Sequence, residues 1–530
     1  SSTPQTSETS SQKWSASTSA THTSNPSCPP TTSSPWDSSL DRKPAPPHAQ
    51  QSRGPHSPLG RRRALRSSSH NSPPSDPTLT TEEKVASLRE AAVPLRSIDP
   101  LDDDFADLRF LQTTIGDKRI VMLGEANHGD GAALAVKARI VKFLHQEMGF
   151  EVVVFESGLY DCWKMDQAFT EGKDPRLAAP DGAFAEWYQS PWAFPMFDYA
   201  WTSGFSQRPL RFAGFDHQVT GTRTWRLFGE DLLELIERLE EARVSDEEAE
   251  QLMTVVERLE RTTLTNDKAL VGLWEELLEI ERRVTDLKPK SPQDEQLLAW
   301  WRRFARDMVV NVEAKLDGLW EDLSDLDFYN SRDLQMGRNM VWLANQGLKD
   351  KKIILWAATF HMLADASAIE TPEQPGVLRF TQVAGEQLHA ESPEDIYSIA
   401  VVTDHGQMGR PMWPEPRDVQ PSTPGGFEDL ASRVGHPFLF VDLTRLPQSH
   451  WLRKPLTAKT LGTIWFDNQT PNEAFEDGGL GDVHARWAQQ INAFLFIEPM
   501  FPASAPRRLD NSGLPLGATL KAPLPDWANN

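Results

Sequence analysis

Two carboxylates and an imidazole stand where apolar runs give way to loops. Glu125 and His128 lie in Gly124-Glu125-Ala126-Asn127-His128-Gly129, directly after Ile120-Val121-Met122-Leu123, and Glu156 ends the run Val152-Val153-Val154-Phe155. A neutral imidazole takes a proton from water near neutral pH, and a carboxylate on its other nitrogen fixes the tautomer and stabilises the cation that forms. Glu125, three residues from His128, is close enough to reach it, and Glu156 would approach from a neighbouring strand. Such a set can drive direct attack of water on a carbonyl. The alternative is structural: Glu125 and Glu156 cap loop amides, and His128 bonds within its own turn.

The elements that must position these groups follow from periodicity. Both apolar runs suit strands buried on two faces. Between them, Ala132 to Gly149 is rich in helix formers, with Val136, Ile140, Phe143 and Leu144 at helical spacing and Gly149 where a C-cap belongs. A strand-helix-strand unit of this length makes the two strands parallel with a right-handed crossover. Their C-terminal ends would then lie side by side, with Glu125, His128 and Glu156 on the sheet rim that binds ligands in open α/β folds.

Further apolar runs occur at Leu210–Phe215, Ile353–Trp356, Ile396–Val402, Phe438–Val441, Leu461–Trp465 and Phe494–Ile497. Each reads as a core strand, giving one sheet of seven or eight strands, mostly parallel at its start. Residues 225–348 differ: Leu232-Leu233-Leu235-Ile236-Leu239 and Leu270-Leu273-Leu277-Leu278-Ile280 have helical periodicity, which predicts an insertion of four or five helices serving as lid, cleft wall or plain cover. The expected architecture is an α/β fold: a mostly parallel central sheet, flanking helices and this large helical insertion. The core would comprise residues 81–224 and 349–505, with a C-terminal extension at 506–530.

Residues 1–80 are dominated by Ser, Thr and Pro, a composition too poor in apolar side chains to offset ordering entropy, and are expected to be a disordered tail. They hold eight basic and four acidic residues, whereas the whole chain carries a formal charge of −22, so the remainder is strongly acidic. That balance argues against a general nucleic-acid or anionic-membrane surface, and no stretch has the apolar length of a membrane span. Arg61-Arg62-Arg63 with Arg66 reads as solvated spacer. Cys28 and Cys162 are the two cysteines, too few for a disulfide framework, and Cys162 reads as a buried inert thiol. The chain starts at Ser1; a cytoplasmic protein is the expectation, an exported one if a leader has been removed. Oligomeric state is not legible.

Several chemistries lack their motifs. There is no Gly-x-Ser-x-Gly elbow, no His-Glu-x-x-His and no phosphate-binding Gly-rich loop, and Leu134 stands where a dinucleotide fingerprint needs its third glycine. His217 follows Asp216 at a strand end and either pairs with it or binds substrate; His405 beside Asp404 is a similar pair. Trp300 and Trp301 fit a helical core.

Leu123-Gly124-Glu125-Ala126-Asn127-His128-Gly129, Lys137-Ala138-Arg139 and Phe155-Glu156 resemble the erythromycin esterase family. The likeness continues through Ala213-Gly214-Phe215-Asp216-His217-Gln218, Arg332-Asp333 with Met336 and Asn339, and Trp356-Ala357-Ala358-Thr359-Phe360-His361, in order across residues 100–500. It implies a hydrolase that opens a cyclic ester without metal or cofactor. His128 would be the general base, Glu125 and Glu156 would orient it, and His361 would lie near the developing oxyanion. Lys137 or Arg139 would bring positive charge to the cleft, and Asp216 and His217 would contact substrate. The chain departs from the family at Asn127, usually Thr, at Ala358, a His in macrolide esterases, and in lacking an acid in the helix after the motif. A small ester or lactone other than erythromycin is therefore the expected substrate. Two other readings stand beside this one: a metal-dependent hydrolase with Glu125, His128, Glu156 and His361 as ligands, and a non-catalytic haem- or iron-binding protein on the same fold.

Overall fold

Alternate side chains of one buried strand feed two separate cores. In Ile120–Glu125 (β2), Val121 and Leu123 join a cluster with Val153, Phe155, Ile354 and Trp356. Ile120 and Met122 join Val152, Val154, Ile353 and Leu355 on the other face. Every residue of β2 is buried, as a period-2 element covered on both sides requires.

The computed structural model describes residues 79–261, 268–320, 325–370, 377–419, 421–461 and 481–507. All but the last two residues of the expected tail, and all but the first two of the C-terminal extension, lie outside these ranges. The other strands are Ala92–Pro94 (β1), Val152–Gly158 (β3), Arg211–Asp216 (β4), Ile353–Ala358 (β5) and Ile396–Val402 (β6), followed by Gly406–Arg410 (β7), Trp413–Val419 (β8), Phe438–Asp442 (β9), Leu456–Leu461 (β10), Gly481–Ala485 (β11) and Ala493–Ile497 (β12). Eight of them form one sheet in the order β1-β9-β12-β6-β2-β5-β3-β4. The pairs from β12 through β6, β2, β5 and β3 to β4 are parallel, and β9 joins β12 and β1 antiparallel. The mostly parallel sheet is as expected.

Two expectations need correction. The expected strand Leu461–Trp465 meets only the end of β10, which pairs with β11 in a separate two-stranded sheet; residues 462–465 lie outside the described ranges. More consequentially, β2 and β3 are not neighbours. β5 runs between them, pairing Glu125 with Ala358 on one side and Phe155 with Trp356 on the other. Each strand of the opening unit is buried on both edges as well as both faces, and adjacency in sequence does not decide which strand fills the gap.

The crossover helix Gly131–Met148 starts at Asp130, whose carboxylate accepts the Ala133 amide at 3.0 Å, and ends at Gly149 with φ +77°, the left-handed C-cap expected there. Five helices, Thr224–Glu240, Asp246–Arg261, Lys268–Asp286, Pro292–Trp320 and Asp325–Trp342, occupy the expected insertion. Their apolar stripes, including Leu232, Leu273, Trp301 and Met336, cover the face of the sheet that carries Ile120 and Met122. Trp301 packs against Tyr160 and Phe228, the core role read for it.

Where β5 leaves the sheet, the chain turns tightly against β2. A Cβ on Gly124 would meet Thr359 Oγ1 at 2.5 Å and its Cα at 2.9 Å. Backbone on one side leaves little room to yield, so Gly124→Ala should destabilise the protein by about 1–3 kcal/mol in urea unfolding. An unchanged midpoint would show that the two strand ends are looser than this packing requires.

Candidate functional site

β2, β5, β3 and β4 end side by side on one rim, and each delivers a polar group there. β2 delivers Glu125 and the loop bearing His128. After β5, the short helix Thr359–Met362 turns His361 back over the rim. β3 delivers Glu156 and β4 delivers Asp216. The insertion closes the set, for helix Asp325–Trp342 supplies Arg332 and Asp333.

His128 is held from one side. Its Nδ1 lies 2.9 Å from Glu125 Oε1, while Glu125 Oε2 takes the ammonium of Lys137, one turn and a half along the crossover helix. Lys137 is fully buried, 4.3 Å above the Trp356 ring, and burial lowers its pKa although Glu125 opposes the shift. Trp187 meets the His128 ring edge-on at 4.9 Å. With Nδ1–H donated to a carboxylate, the tautomer carries its lone pair on Nε2, which lies 3.8 Å from Glu156 Oε1. Asn127, before the histidine, bonds the Gly129 amide through its side-chain oxygen at 2.7 Å and so shapes the loop.

Glu156 is the most heavily engaged carboxylate of the rim. Oε1 lies 3.2 Å from His361 Nε2 and accepts Arg332 Nη2 at 3.1 Å; Oε2 accepts the Ala358 amide at 2.9 Å. Burial alone would raise its pKa, but His361, His128 and Arg332 hold it well below the usual range. Arg332 spans Glu156 and Asp216, contacting the latter at 2.5 Å, and Asp216 is likewise held low against its burial. His361 Nδ1 lies 2.7 Å from Asp333, which also accepts the Ala384 amide at 2.9 Å. Burial disfavours the His361 cation, yet Asp333 and Glu156 overcome this and push its pKa up to about 10. His361 is therefore an imidazolium at neutral pH, clamped between two carboxylates.

The structure thus brings Glu125, His128, Glu156, His361, Lys137 and Asp216 together. It does not bring Arg139. That guanidinium is buried on the far side of the crossover helix, where it bonds Asp107 at 2.7 Å and the Ser97 carbonyl at 2.8 Å, because two positions along a helix turn a side chain through slightly more than a half circle. Lys137 lies beneath Glu125 as a positioning group rather than at a substrate-facing surface. His217 stands 3.6 Å from Asp216, too far for the hydrogen bond expected of a pair, because Asp216 is taken by Arg332; burial pushes the His217 pKa down to about 4. Cys162 is buried, and burial raises its thiol pKa, as an inert thiol requires.

Arg332 and Asp333 received no role from sequence reasoning. Their signal was charge on an apolar stripe: they share the buried face of their helix with Met336 and Met340. Arg410 was also passed over. It ends β7, lies 3.7 Å from Glu186, and is carried by a hairpin whose Gly409 amide bonds the Gly129 carbonyl at 3.1 Å, beside His128. Of the four residues expected as metal ligands, two are engaged by other groups: both nitrogens of His361 face carboxylates and Glu156 carries Arg332.

Comparisons with known proteins bear on the fold and the family. The protein named "Putative hydrolase YbfO" of Bacillus subtilis (strain 168) is 26% identical over 425 residues, covering 71% of this chain and 90% of its own. A structural-genomics target from Bacillus cereus superposes with TM-score 0.62 at 19% identity, over 81% of this chain and 100% of its own. An erythromycin esterase EreC mutant in its open conformation superposes with TM-score 0.52 at 14% identity, over 77% and 97% of the two chains. At such identities the solved structures show the fold alone. The erythromycin esterase family model matches residues 145–499, two thirds of the chain, and the chain belongs to that family.

Proposed function

We propose that this protein hydrolyses a carboxylic ester or lactone with water activated by His128 and no covalent nucleophile. Family membership supports a hydrolase; the ester or lactone and the mechanism are our reading. The observation that carries it is the one-sided grip on His128, where Glu125 takes Nδ1 and Nε2 is left toward the rim. Water at Nε2 loses a proton to the imidazole as it attacks the carbonyl. Glu125 and Glu156 then flank the imidazolium and stabilise it. The cations His361 and Arg332, fixed behind Glu156, offset its negative charge beside the place where the tetrahedral oxyanion develops, and being already fixed they need not reorient during reaction. Collapse of that intermediate returns the proton from His128 to the leaving alkoxide.

Lys137 acts through Glu125: its ammonium pairs with the carboxylate and keeps it aimed at His128. Removing that charge leaves a buried anion unpaired, which costs roughly 3–5 kcal/mol for a buried pair broken on one side. The macrolide-esterase His is Ala358 here, and its amide serves Glu156 instead. That difference favours a substrate other than erythromycin.

A panel of aryl esters and lactones tests the reading. His128→Ala should lower kcat/KM by about 10²–10⁴ with the fold retained by circular dichroism, and turnover equal to wild type would overturn the assignment. Activity abolished by chelation, or a haem absorbance band on titration, would transfer the site to the metal or haem readings. Lys137→Met should lower kcat by about 10–100-fold, the size of effect that a lost supporting contact has on a site, whereas Lys137→Arg should recover part of it.

The His361 cation predicts a pH dependence of stability. Its folded pKa of about 10 exceeds the unfolded value of about 6.5. Its stabilisation is therefore complete below the unfolded value and is lost as pH rises through about 10. Wild type and His361→Gln should differ most in urea midpoint near pH 6, and the gap should close toward pH 10. A gap independent of pH would show that folding does not raise the His361 pKa.

A further inference from the structure

On the same rim, at the ends of the neighbour of β2 and of the strand beyond it, a second set of donors converges that the hydrolytic reading does not use. Asp404 and His405 follow β6, and Glu498 follows its parallel neighbour β12. His405 Nδ1 lies 3.2 Å from Asp404 Oδ2 and 3.2 Å from Glu498 Oε1, and one ligand atom from each residue falls within 4.8 Å of the others. Asp404 and Glu498 are buried, while the His405 side chain is 20% exposed, so the group has an open side.

We propose that Asp404, His405 and Glu498 form a binding site for a divalent transition-metal ion, with Mn²⁺ or Zn²⁺ as the fitting chemistry. Two carboxylate oxygens and one imidazole nitrogen are the mixed donor set these ions take. The spacing agrees independently. Metal–ligand bonds of about 2.1 Å place neighbouring donors roughly 3.0–3.4 Å apart in tetrahedral or octahedral coordination, and both measured separations from Nδ1 lie within that range.

The frame around the donors is stiff before any ion binds. The Met500 amide bonds the His405 carbonyl at 2.9 Å, and the Gln407 amide bonds the Met500 carbonyl at 3.1 Å, so the segments that follow the two strands are stitched together. Asp404 Oδ1 accepts the Ser422 amide at 3.2 Å, the outer-sphere support that orients a ligating carboxylate. The Lys459 ammonium is directed to the Asp404 carbonyl oxygen at 3.1 Å.

The position gives the ion a consequence. β7 begins at Gly406, immediately after His405, and its Gly409 amide reaches the Gly129 carbonyl beside His128. An ion joining the ends of β6 and β12 braces the root of the hairpin that presses on the catalytic loop. It does so without taking part in hydrolysis.

The test uses the full chain, free of any affinity tag and stripped with chelator, titrated calorimetrically with MnCl₂ and separately with ZnCl₂. One equivalent of at least one ion should bind, with equal affinity in His128→Ala, and binding should weaken at least 10-fold in His405→Ala and in Glu498→Gln. Absence of binding in wild type, undiminished binding in His405→Ala, or loss of binding in His128→Ala would each overturn the proposal. If a variant fails to fold, pulsed electron paramagnetic resonance of wild type loaded with the bound Mn²⁺, or with Co²⁺ in place of Zn²⁺, decides: coupling to one imidazole nitrogen supports the site, and its absence sinks it. Ester hydrolysis is not the readout, so this outcome is separable from the fate of the proposed activity.

Discussion

A single buried carboxylate, Glu156, ties the rim together. It accepts from Arg332, faces His361 and takes the Ala358 amide, and those partners come from the helical insertion, the turn after β5 and the end of β5 itself. An ionised carboxylate in such a place would be prohibitively expensive alone. It persists because two cations and an amide reach it, and each partner is in turn held by a second acid, Asp216 for Arg332 and Asp333 for His361. The alternation of charges means that no member can be removed without stranding another. The insertion is therefore more than cover for the sheet. Its last helix contributes the charges that allow Glu156 to remain an anion.

This network touches His128 only at 3.8 Å. Glu156 is already saturated by donors and held well below the usual carboxylate range by the cations around it, so it is a poor proton acceptor itself. Glu125 is the opposite case. It has one basic partner, Lys137, and one side chain to orient, His128. The two carboxylates that look equivalent in the sequence thus divide into a tautomer-setting group and a fixed electrostatic background. Their environments, not their residue type, separate them.

Much of this was legible in the chain. The apolar runs, the Gly149 cap and the helical periodicity of the insertion located nearly all of the main sheet's strands, because burial on both faces demands continuous apolar sequence. Strand order was not legible, since parallel strands separated by crossovers can take several orders with the same periodicity. The missing fact was that β5 lies between β2 and β3, which is why His361 meets Glu156 at all. The antiparallel edge strand β1, with three residues and little burial, left no pattern to read. The separation of Lys137 from Arg139 follows from helix geometry once one of them is known to face inward, but two adjacent basic positions do not say which.

The remaining strength of the sequence signal lies in residues that break their own pattern. Asp333 is fully buried on a stripe with Met336 and Met340, and an isolated carboxylate there is costly unless a partner arrives from elsewhere. Asp307 offers a comparison on the preceding helix. It too is buried, but its partners are the neutral amides of Gln335 and Asn339, and burial pushes its pKa up to about 8. One buried acid is met by a cation and lends charge to the rim; the other is met by amides and, being largely protonated at neutral pH, adds none. The amide of Asn339 also bonds the Phe215 carbonyl, one residue before Asp216. Asp307 thus anchors the strand end mechanically while Asp216 anchors it electrostatically. A neutral anchor suits that position, because the charge of Asp216 itself disfavours a second anion there.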